Sequence, residues 1–228
     1  MSLVTVDRVS RYAGWLAYLS AALTIVAAVI LVIQYYYALT PGAYPPGGLS
    51  PEDFAHLNEK VGLVISVFML PLPVALHRHT SERGWGLSWL AMAFGVLGWL
   101  TITVTQTLLI ITRISFEVTQ PFAVVGLTLI GVWMIAANSR ARAAAALSRR
   151  LTWLGEVTGA SFLLAVAAIL LSLVSDALTA MVVALAIPGA LAFVFGFPFW
   201  LIWLGRGLLS ARTTPQVTSQ HSAPLGAS

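Results

Sequence analysis

Six long apolar runs, each bounded by charged residues, constrain the fold of this chain more than any other feature. Runs of about 20 apolar residues match the roughly 30 Å hydrocarbon layer of a lipid bilayer. Of the 228 residues, 59% are hydrophobic and only 9% are charged. A water-soluble fold is excluded, because so few polar side chains cannot cover so large an apolar core. The sequence therefore predicts an all-α, polytopic membrane protein with six transmembrane helices in one domain.

The basic residues are concentrated in alternate gaps between the apolar runs. Only Lys60 and Arg113 stand in the other gaps, where acids predominate. Because loops rich in Lys and Arg remain on the cytoplasmic side, this bias predicts an N-in/C-in topology with both termini cytoplasmic. The basic residues in the predicted cytoplasmic gaps are Arg8, Arg11, Arg78, Arg83, Arg140, Arg142, Arg149, Arg150, Arg206 and Arg212.

The apolar runs predict helices over about 12–39, 61–76, 85–111, 122–137, 151–174 and 178–204. The fourth is the weakest, because its run of about 16 residues is shorter than the roughly 20 that a span needs. Together these segments define a transmembrane domain over residues 1–209. Residues 210–228, rich in Ser, Thr, Gln, Pro and Ala, are predicted to form a disordered cytoplasmic tail.

Local motifs modify the second and sixth spans. The segment Ser50-Pro51-Glu52-Asp53 combines a capping hydroxyl, a proline at the first helical position and an acid at the third. It predicts a helix start near residue 51 as a lead-in to the second span. Pro71 and Pro73 lack a backbone donor, which predicts a kink or an unwound turn near the end of that helix. Pro188 and Pro198 interrupt the sixth span.

The residue inventory excludes several kinds of site. The chain has no cysteine, which excludes disulfides, thiolate metal sites and cysteine nucleophiles. His77 and His79 lie at the inner end of the second helix, and no other predicted span contains a histidine. A haem held between two helices is therefore not expected, and neither is a metal site, a catalytic triad or any cofactor. The net charge is +4, but the basic residues that produce it flank the apolar spans, as in other membrane proteins. Nucleic acid is therefore not an expected partner.

Glu156 is the one acid inside an apolar run, and a charge at such a position is a functional candidate. It lies roughly 7–8 Å inside the predicted fifth helix, at 1.5 Å per residue. From there the carboxylate can reach the membrane interface or an arginine such as Arg149 or Arg150, and its role would then be structural. The alternative is a role in binding or moving an ion or a proton. Gly155 and Gly159 are spaced for close helix contact and predict that Glu156 lies near a seam within the monomer.

Gln106 stands among four threonines of the third helix. The hydroxyls can bond back to carbonyl oxygens in the preceding turn and need no ligand. The Gln106 amide is harder to bury in lipid, so we expect it to hydrogen-bond across helices; the polar lining of a cavity is the alternative. The threonines are Thr101, Thr103, Thr105 and Thr107.

The gap from Asn138 to Arg150 carries four arginines, which are Arg140, Arg142, Arg149 and Arg150. This segment is predicted either to lie as a short helix on the inner leaflet and attract anionic lipid, or to carry only the charge that orients the chain.

Three segments resemble a family of bacterial six-pass integral membrane proteins that is classed as a domain of unknown function. They are residues 70–83, with the pattern Leu-Pro-Leu-Pro and Ser-Glu-Arg, residues 148–155, and Pro188 together with residues 197–207. Members often carry an Arg and a Glu early in the third helix, where this chain has Met92 and Gly95. The resemblance implies a six-pass architecture and the bacterial cytoplasmic (plasma) membrane, and it supplies no activity.

The leading functional hypothesis is a non-enzymatic accessory or structural membrane protein that packs against lipids or another membrane protein. The alternative is a small transporter or permeation protein with a polar pathway near Glu156 and Gln106, framed by the proline-broken helices. A membrane lipid-modifying enzyme is a third interpretation, and it would draw on His77, His79 and Glu156.

Overall fold

The computed structural model describes residues 3–40, 48–80, 85–112, 116–173 and 179–210, and these residues contain no strand. Six helical segments are long and apolar enough to cross a membrane, and two of them are each built from two helices. The predicted all-α, six-span architecture is confirmed. Apart from Ser210, the predicted tail lies outside the described residues. The helices are α1 (Leu3–Leu39), α2 (Pro51–Met69), α3 (Pro71–Thr80), α4 (Trp85–Thr112), α5 (Phe116–Ala143), α6 (Arg149–Ser172), α7 (Thr179–Leu191) and α8 (Phe197–Ser210), with a π-helical turn at Ala192–Gly196.

Successive spans pack antiparallel and close into a ring, because α8 returns to lie against α1. The start of α1 meets the end of α8 where Gly14 faces Gly205. The end of α3 and the start of α6 lie at the same end of the bundle, beside the last turn of α8. This end, which carries Arg8, Arg11 and Arg149, is called the arginine-rich end below.

Prolines break the second span as the sequence predicts, whereas Pro188 of the sixth span lies inside α7 and does not end it. Pro71 has no N–H for the carbonyl of Val67, and the N–H of Leu70 bonds that oxygen instead at 3.3 Å. The helix assignment breaks at Leu70, which separates α2 from α3. In the sixth span, Pro198 follows a π-helical turn in which the N–H of Phe197 bonds the carbonyl of Ala192.

The start of α2 is closed by a capping box at Ser50. The Ser50 hydroxyl accepts from the N–H of Asp53 at 3.2 Å, and the Asp53 carboxylate accepts from the N–H of Ser50 at 2.8 Å. Two orphan donors of the first turn are thereby satisfied. The helix begins at Pro51, as the motif predicts.

The fourth span is longer than the sequence predicts. The apolar run covers only 122–137, but α5 extends over Phe116–Ala143. Arg149 and Arg150, in the second half of the 138–150 gap, follow a tight turn. In this turn Ala145 has φ of 51° and the N–H of Ala146 bonds the carbonyl of Ala141. The expectation of a separate inner-leaflet helix over 138–150 is therefore wrong, because its first six residues continue α5.

Stacked aromatic rings fill the interior of the bundle. Phe197 stacks on Trp99 and on Trp200, with ring centroids 5.9 and 6.1 Å apart. Trp133 meets Trp200 edge-on at 5.9 Å, and Phe162 packs on Phe197 at 5.8 Å. All five rings are buried. This aromatic cluster joins α4, α5, α6 and α8 within the buried core of the bundle.

Candidate functional site

Glu156 is bound by two side chains of α5. Arg142 donates to one carboxylate oxygen at 2.8 Å, and the hydroxyl of Ser139 donates to the other at 2.9 Å. The partner is therefore Arg142, whereas the sequence suggested Arg149 or Arg150. Glu156 lies seven residues beyond the first residue of α6, or roughly 10 Å along the helix. An acid at this depth is stabilised because each oxygen accepts a hydrogen bond and the charge has a counterion.

The ion pair forms because glycines bring α5 and α6 into close contact. A Cβ atom on Gly159 would lie 2.8 Å from the carbonyl oxygen of Gly131, and one on Gly131 would lie 3.0 Å from the carbonyl oxygen of Gly159. The seam predicted from Gly155 and Gly159 is therefore confirmed as a contact within the monomer. At this separation the side chains of α5 reach the Glu156 carboxylate directly.

The Arg142 guanidinium also lies over an aromatic face. Its central carbon is 5.8 Å from the centre of the Trp153 ring, within the range of a cation–π contact. Trp153 precedes Glu156 by three residues on α6, so one turn of that helix supplies both groups that hold the arginine. The carboxylate and the indole together hold the guanidinium between α5 and α6.

A second buried polar link lies beside this pair. The side-chain oxygen of Asn138 accepts from the indole N–H of Trp200 at 3.1 Å, and its amide donates to the carbonyl of Met134 at 2.7 Å. Asn138 and Trp200 are both fully buried. In the sequence, Asn138 stands out only as the first residue of the gap that carries the four arginines. A lone amide at the end of an apolar run was the available signal, because such a group must find partners.

Gln106 lies elsewhere, on the seam between α4 and α2. Its side chain packs 3.5 Å from where a Cβ on Gly62 would stand. One turn away, the hydroxyl oxygens of Thr103 and Ser66 lie 3.0 Å apart across the same seam. The side-chain oxygens of Gln106 and Asn58 are buried and have no hydrogen-bond partner among the described residues. The expected hydrogen bond across helices is therefore not formed by the Gln106 oxygen.

The structure does not bring Gln106 and Glu156 together. Ile102, one turn before Gln106 on α4, packs on Gly126 of α5, whereas Glu156 binds Arg142 near the other end of α5. Gly155, beside Glu156, faces Asn138 of α5. At 1.5 Å per residue, the two predicted pathway residues are therefore separated by roughly 25 Å along the bundle. The aromatic cluster lies between these two levels.

The threonines near Gln106 behave as predicted. Each hydroxyl donates to the carbonyl four residues earlier on α4, at distances of 2.7 to 2.8 Å. These hydroxyls are satisfied without a ligand. The four donors are Thr101, Thr103, Thr105 and Thr107.

The two histidines have separate surroundings. The Nδ1 atom of His77 is 2.6 Å from the hydroxyl of Ser88 on α4, beside a cavity of about 10 Å³ that is also lined by Thr80 and Arg140. A cavity of this size holds about one water molecule. His79 lines a different pocket, next to α8. Within the described ranges, no group of three His, Cys, Asp or Glu side chains is placed to hold a metal ion.

The four arginines of the predicted lipid-binding segment do not form one patch. Arg142 is drawn into the α5–α6 seam by Glu156, and Arg140 lines the small cavity beside His77. Arg149 and Arg150 are exposed in the first turn of α6. Attraction of anionic lipid to this segment stays a prediction, and it now rests mainly on the latter two residues.

An outward-facing groove between α1 and α8 offers no polar chemistry. Its volume is about 410 Å³, and residues 25–33 and 194–202 supply only apolar side chains to it.

Comparison of the chain with known protein families, curated proteins and solved structures finds no match.

Proposed function

We propose that this chain is a non-enzymatic accessory or structural protein of the bacterial cytoplasmic membrane, which packs against lipids or another membrane protein. The observation that carries the proposal is the aromatic cluster. Trp133, Phe197 and Trp200 are almost completely inaccessible, and their rings contact one another in the interior of the bundle. A close-packed interior of this kind stabilises a fixed scaffold and has no room for solute.

The hydrogen bonds and the ion pair of Glu156 support the same function. Transporters place intramembrane acids where they can exchange a proton or an ion. Here both carboxylate oxygens accept hydrogen bonds from α5, and Arg142 supplies the opposite charge. The acid thus joins two helices of the bundle.

The test is a flux assay on the full chain reconstituted in liposomes. We expect no movement of protons, alkali cations or small organic anions above that of empty liposomes. The matched variant is Glu156→Gln, which keeps the shape of the side chain and removes its charge. Any flux carried by the wild-type protein overturns the proposal, and loss of that flux in Glu156→Gln would assign the pathway to this acid.

A small transporter is the second candidate, and one observation favours it. The side-chain oxygen of Gln106 is buried on the α2–α4 seam and has no hydrogen-bond partner among the described residues, and an unsatisfied buried acceptor costs about 1–3 kcal/mol. Such a cost is tolerated where a solute or water contributes the missing donor. Flux that is present in the wild-type protein and lost in Gln106→Leu, with Glu156→Gln unaffected, would place the pathway along this seam.

We also infer that the arginine-rich end faces the cytoplasm. Charge bias supports this orientation, because Arg8, Arg11, Arg149 and Arg150 are all exposed there. The absence of cysteine allows a direct test with single introduced cysteines. In intact cells, a membrane-impermeant maleimide should label Thr40→Cys and leave Ser210→Cys unlabelled until the membrane is opened. The reverse labelling pattern would overturn the N-in/C-in topology.

A further inference from the structure

A pocket of about 480 Å³ opens at the arginine-rich end, between the last turn of α3, the loop before α6 and the last turn of α8. Its volume is within the range of small-ligand sites. Beyond its part in the charge bias that predicts the topology, Arg206 has no role in the functions considered above. The main lining residues are His79, Leu147, Ser148, Leu151, Trp203 and Arg206.

One side of this α3–α6–α8 pocket is polar and basic. Neither the guanidinium of Arg206 nor the imidazole of His79 has a hydrogen-bond or ion-pair partner in the part of the chain that the structure describes. Ser148, the residue that caps α6, lies on the same lining. Two cationic or protonatable donors therefore face the pocket beside the positive end of a helix dipole.

The other side is apolar. Leu147 and Leu151 form one wall, and Trp203 stands on the opposite helix with 44% of its surface exposed. An aromatic side chain at this level is typical of the boundary between acyl chains and headgroups. The pocket thus joins a basic site to an apolar wall, as a phospholipid joins its phosphate to its glycerol and acyl chains.

We propose that the α3–α6–α8 pocket binds the headgroup of one anionic phospholipid from the surrounding leaflet. Arg206 binds the phosphate by charge-assisted hydrogen bonds, His79 donates a further one, and the glycerol and first methylenes lie on Leu147, Leu151 and Trp203. A freely soluble phosphate compound would use the basic side only and would leave the apolar wall exposed. The proposal goes beyond the proposed function, because a lipid site is compatible with a scaffold and with a transporter alike.

Gly207 provides a steric test of the pocket. It lines the pocket, and a Cβ on it would lie 3.5 Å from a methyl group of Leu147, which is an ordinary contact. Gly207→Ala should therefore fold normally and retain the lipid. Gly207→Leu should extend into the cavity and exclude the headgroup without removing any charge.

The experiment is native mass spectrometry of the full chain in detergent, titrated with phosphatidylglycerol and, in parallel, with phosphatidylcholine. We expect one phosphatidylglycerol to bind about tenfold more tightly than phosphatidylcholine. Arg206→Gln should weaken phosphatidylglycerol binding about tenfold, as expected for a lost charged hydrogen bond. Gly207→Leu should weaken it by at least about tenfold, because the added side chain fills the space of the headgroup. The charge control is Arg150→Gln, an exposed arginine at the same end that does not line the pocket.

Several outcomes would overturn the proposal. Unchanged lipid binding in both pocket variants would do so, and so would an equal loss in Arg150→Gln, which would indicate diffuse attraction. Displacement of the lipid by millimolar glycerol 3-phosphate would show that the ligand is a soluble phosphate. Melting temperatures in lipid-free detergent show whether each variant is folded, and the lipid titration is independent of any flux measurement.

Discussion

The guanidinium of Arg142 meets the carboxylate of Glu156 at 2.8 Å, and the two side chains differ in their access to solvent. Arg142 is 38% exposed and Glu156 is 15% exposed. If either partner is lost, the remaining charge must be accommodated in its own surroundings. The exposed arginine can turn towards water, but the acid has only the hydroxyl of Ser139 left.

This asymmetry predicts unequal effects of the two single substitutions. Arg142→Met should lower the free energy of unfolding by about 2 kcal/mol, because it leaves a partly buried carboxylate without its counterion. Glu156→Gln should cost less than about 1 kcal/mol, because the arginine reaches solvent. Thermal unfolding in detergent measures both. Equal shifts, or a larger shift in Glu156→Gln, would contradict this account of the pair.

Trp200→Phe tests the buried link to Asn138. The substitution removes the indole N–H that donates to the Asn138 oxygen at 3.1 Å, and it leaves that acceptor unsatisfied in the core. We expect a loss of about 2–3 kcal/mol, from the unpaired acceptor together with the lost ring volume. Trp203→Phe is the matched control, because that indole is exposed and should tolerate the change. Similar melting temperatures for the two variants would contradict the role of the link.

Gly159→Ala tests the α5–α6 seam. The added methyl group would lie 2.8 Å from a backbone carbonyl of Gly131, which cannot move aside as a side chain can. The helices must separate, so we expect a loss of about 2 kcal/mol. Because the same shift moves Arg142 away from Glu156, the variant should also become insensitive to a second change at Glu156. The coupling energy between Arg142 and Glu156 can be measured by a double-mutant cycle, once in the wild-type background and once in Gly159→Ala. Equal coupling energies in the two backgrounds would show that the pair does not need the close approach of the helices.

Ala145→Gly should stabilise the protein. Ala145 has φ of 51°, a left-handed conformation that a Cβ disfavours and that glycine adopts without strain. The turn contains the helix-ending bond from the Ala146 N–H to the Ala141 carbonyl, a position where glycine is the common residue. We expect a gain of about 0.5–1 kcal/mol and a melting temperature higher by a few degrees. The neighbouring Ala143→Gly, within α5, should have the opposite sign.

Local chemistry was enough to predict most of the architecture. The six apolar runs and the absence of enough polar surface determine a six-span bundle. The cap at Ser50 and the helix break before Pro71 follow from single residues, a hydroxyl that bonds an orphan N–H and a ring that lacks one. These features depend on neighbours in sequence, so sequence patterns report them.

The candidate site was only half predictable. Glu156 was recognisable because an acid within an apolar run is rare, and its glycine seam followed from the spacing. Arg142 was missed as its partner because the last turns of α5 are polar and carry no hydrophobic signal that would extend the helix past residue 137. The bond between Asn138 and Trp200 joins residues 62 positions apart, so only the packed bundle reveals it.

The π-helical turn at Ala192–Gly196 sets the helical phase of everything that follows it. Ala192 and Phe197 are both buried, although a spacing of five places residues about 140° apart around a regular α-helix. The wide turn absorbs one extra residue and rotates α8, so that Phe197, Trp200 and Leu204 all point inward. Removing a single residue from this turn would restore a regular helix and rotate those rings by about 100°, out of the interior and towards the lipid. The position of the aromatic cluster is therefore determined by residue count in one turn, as well as by the identity of the aromatic residues.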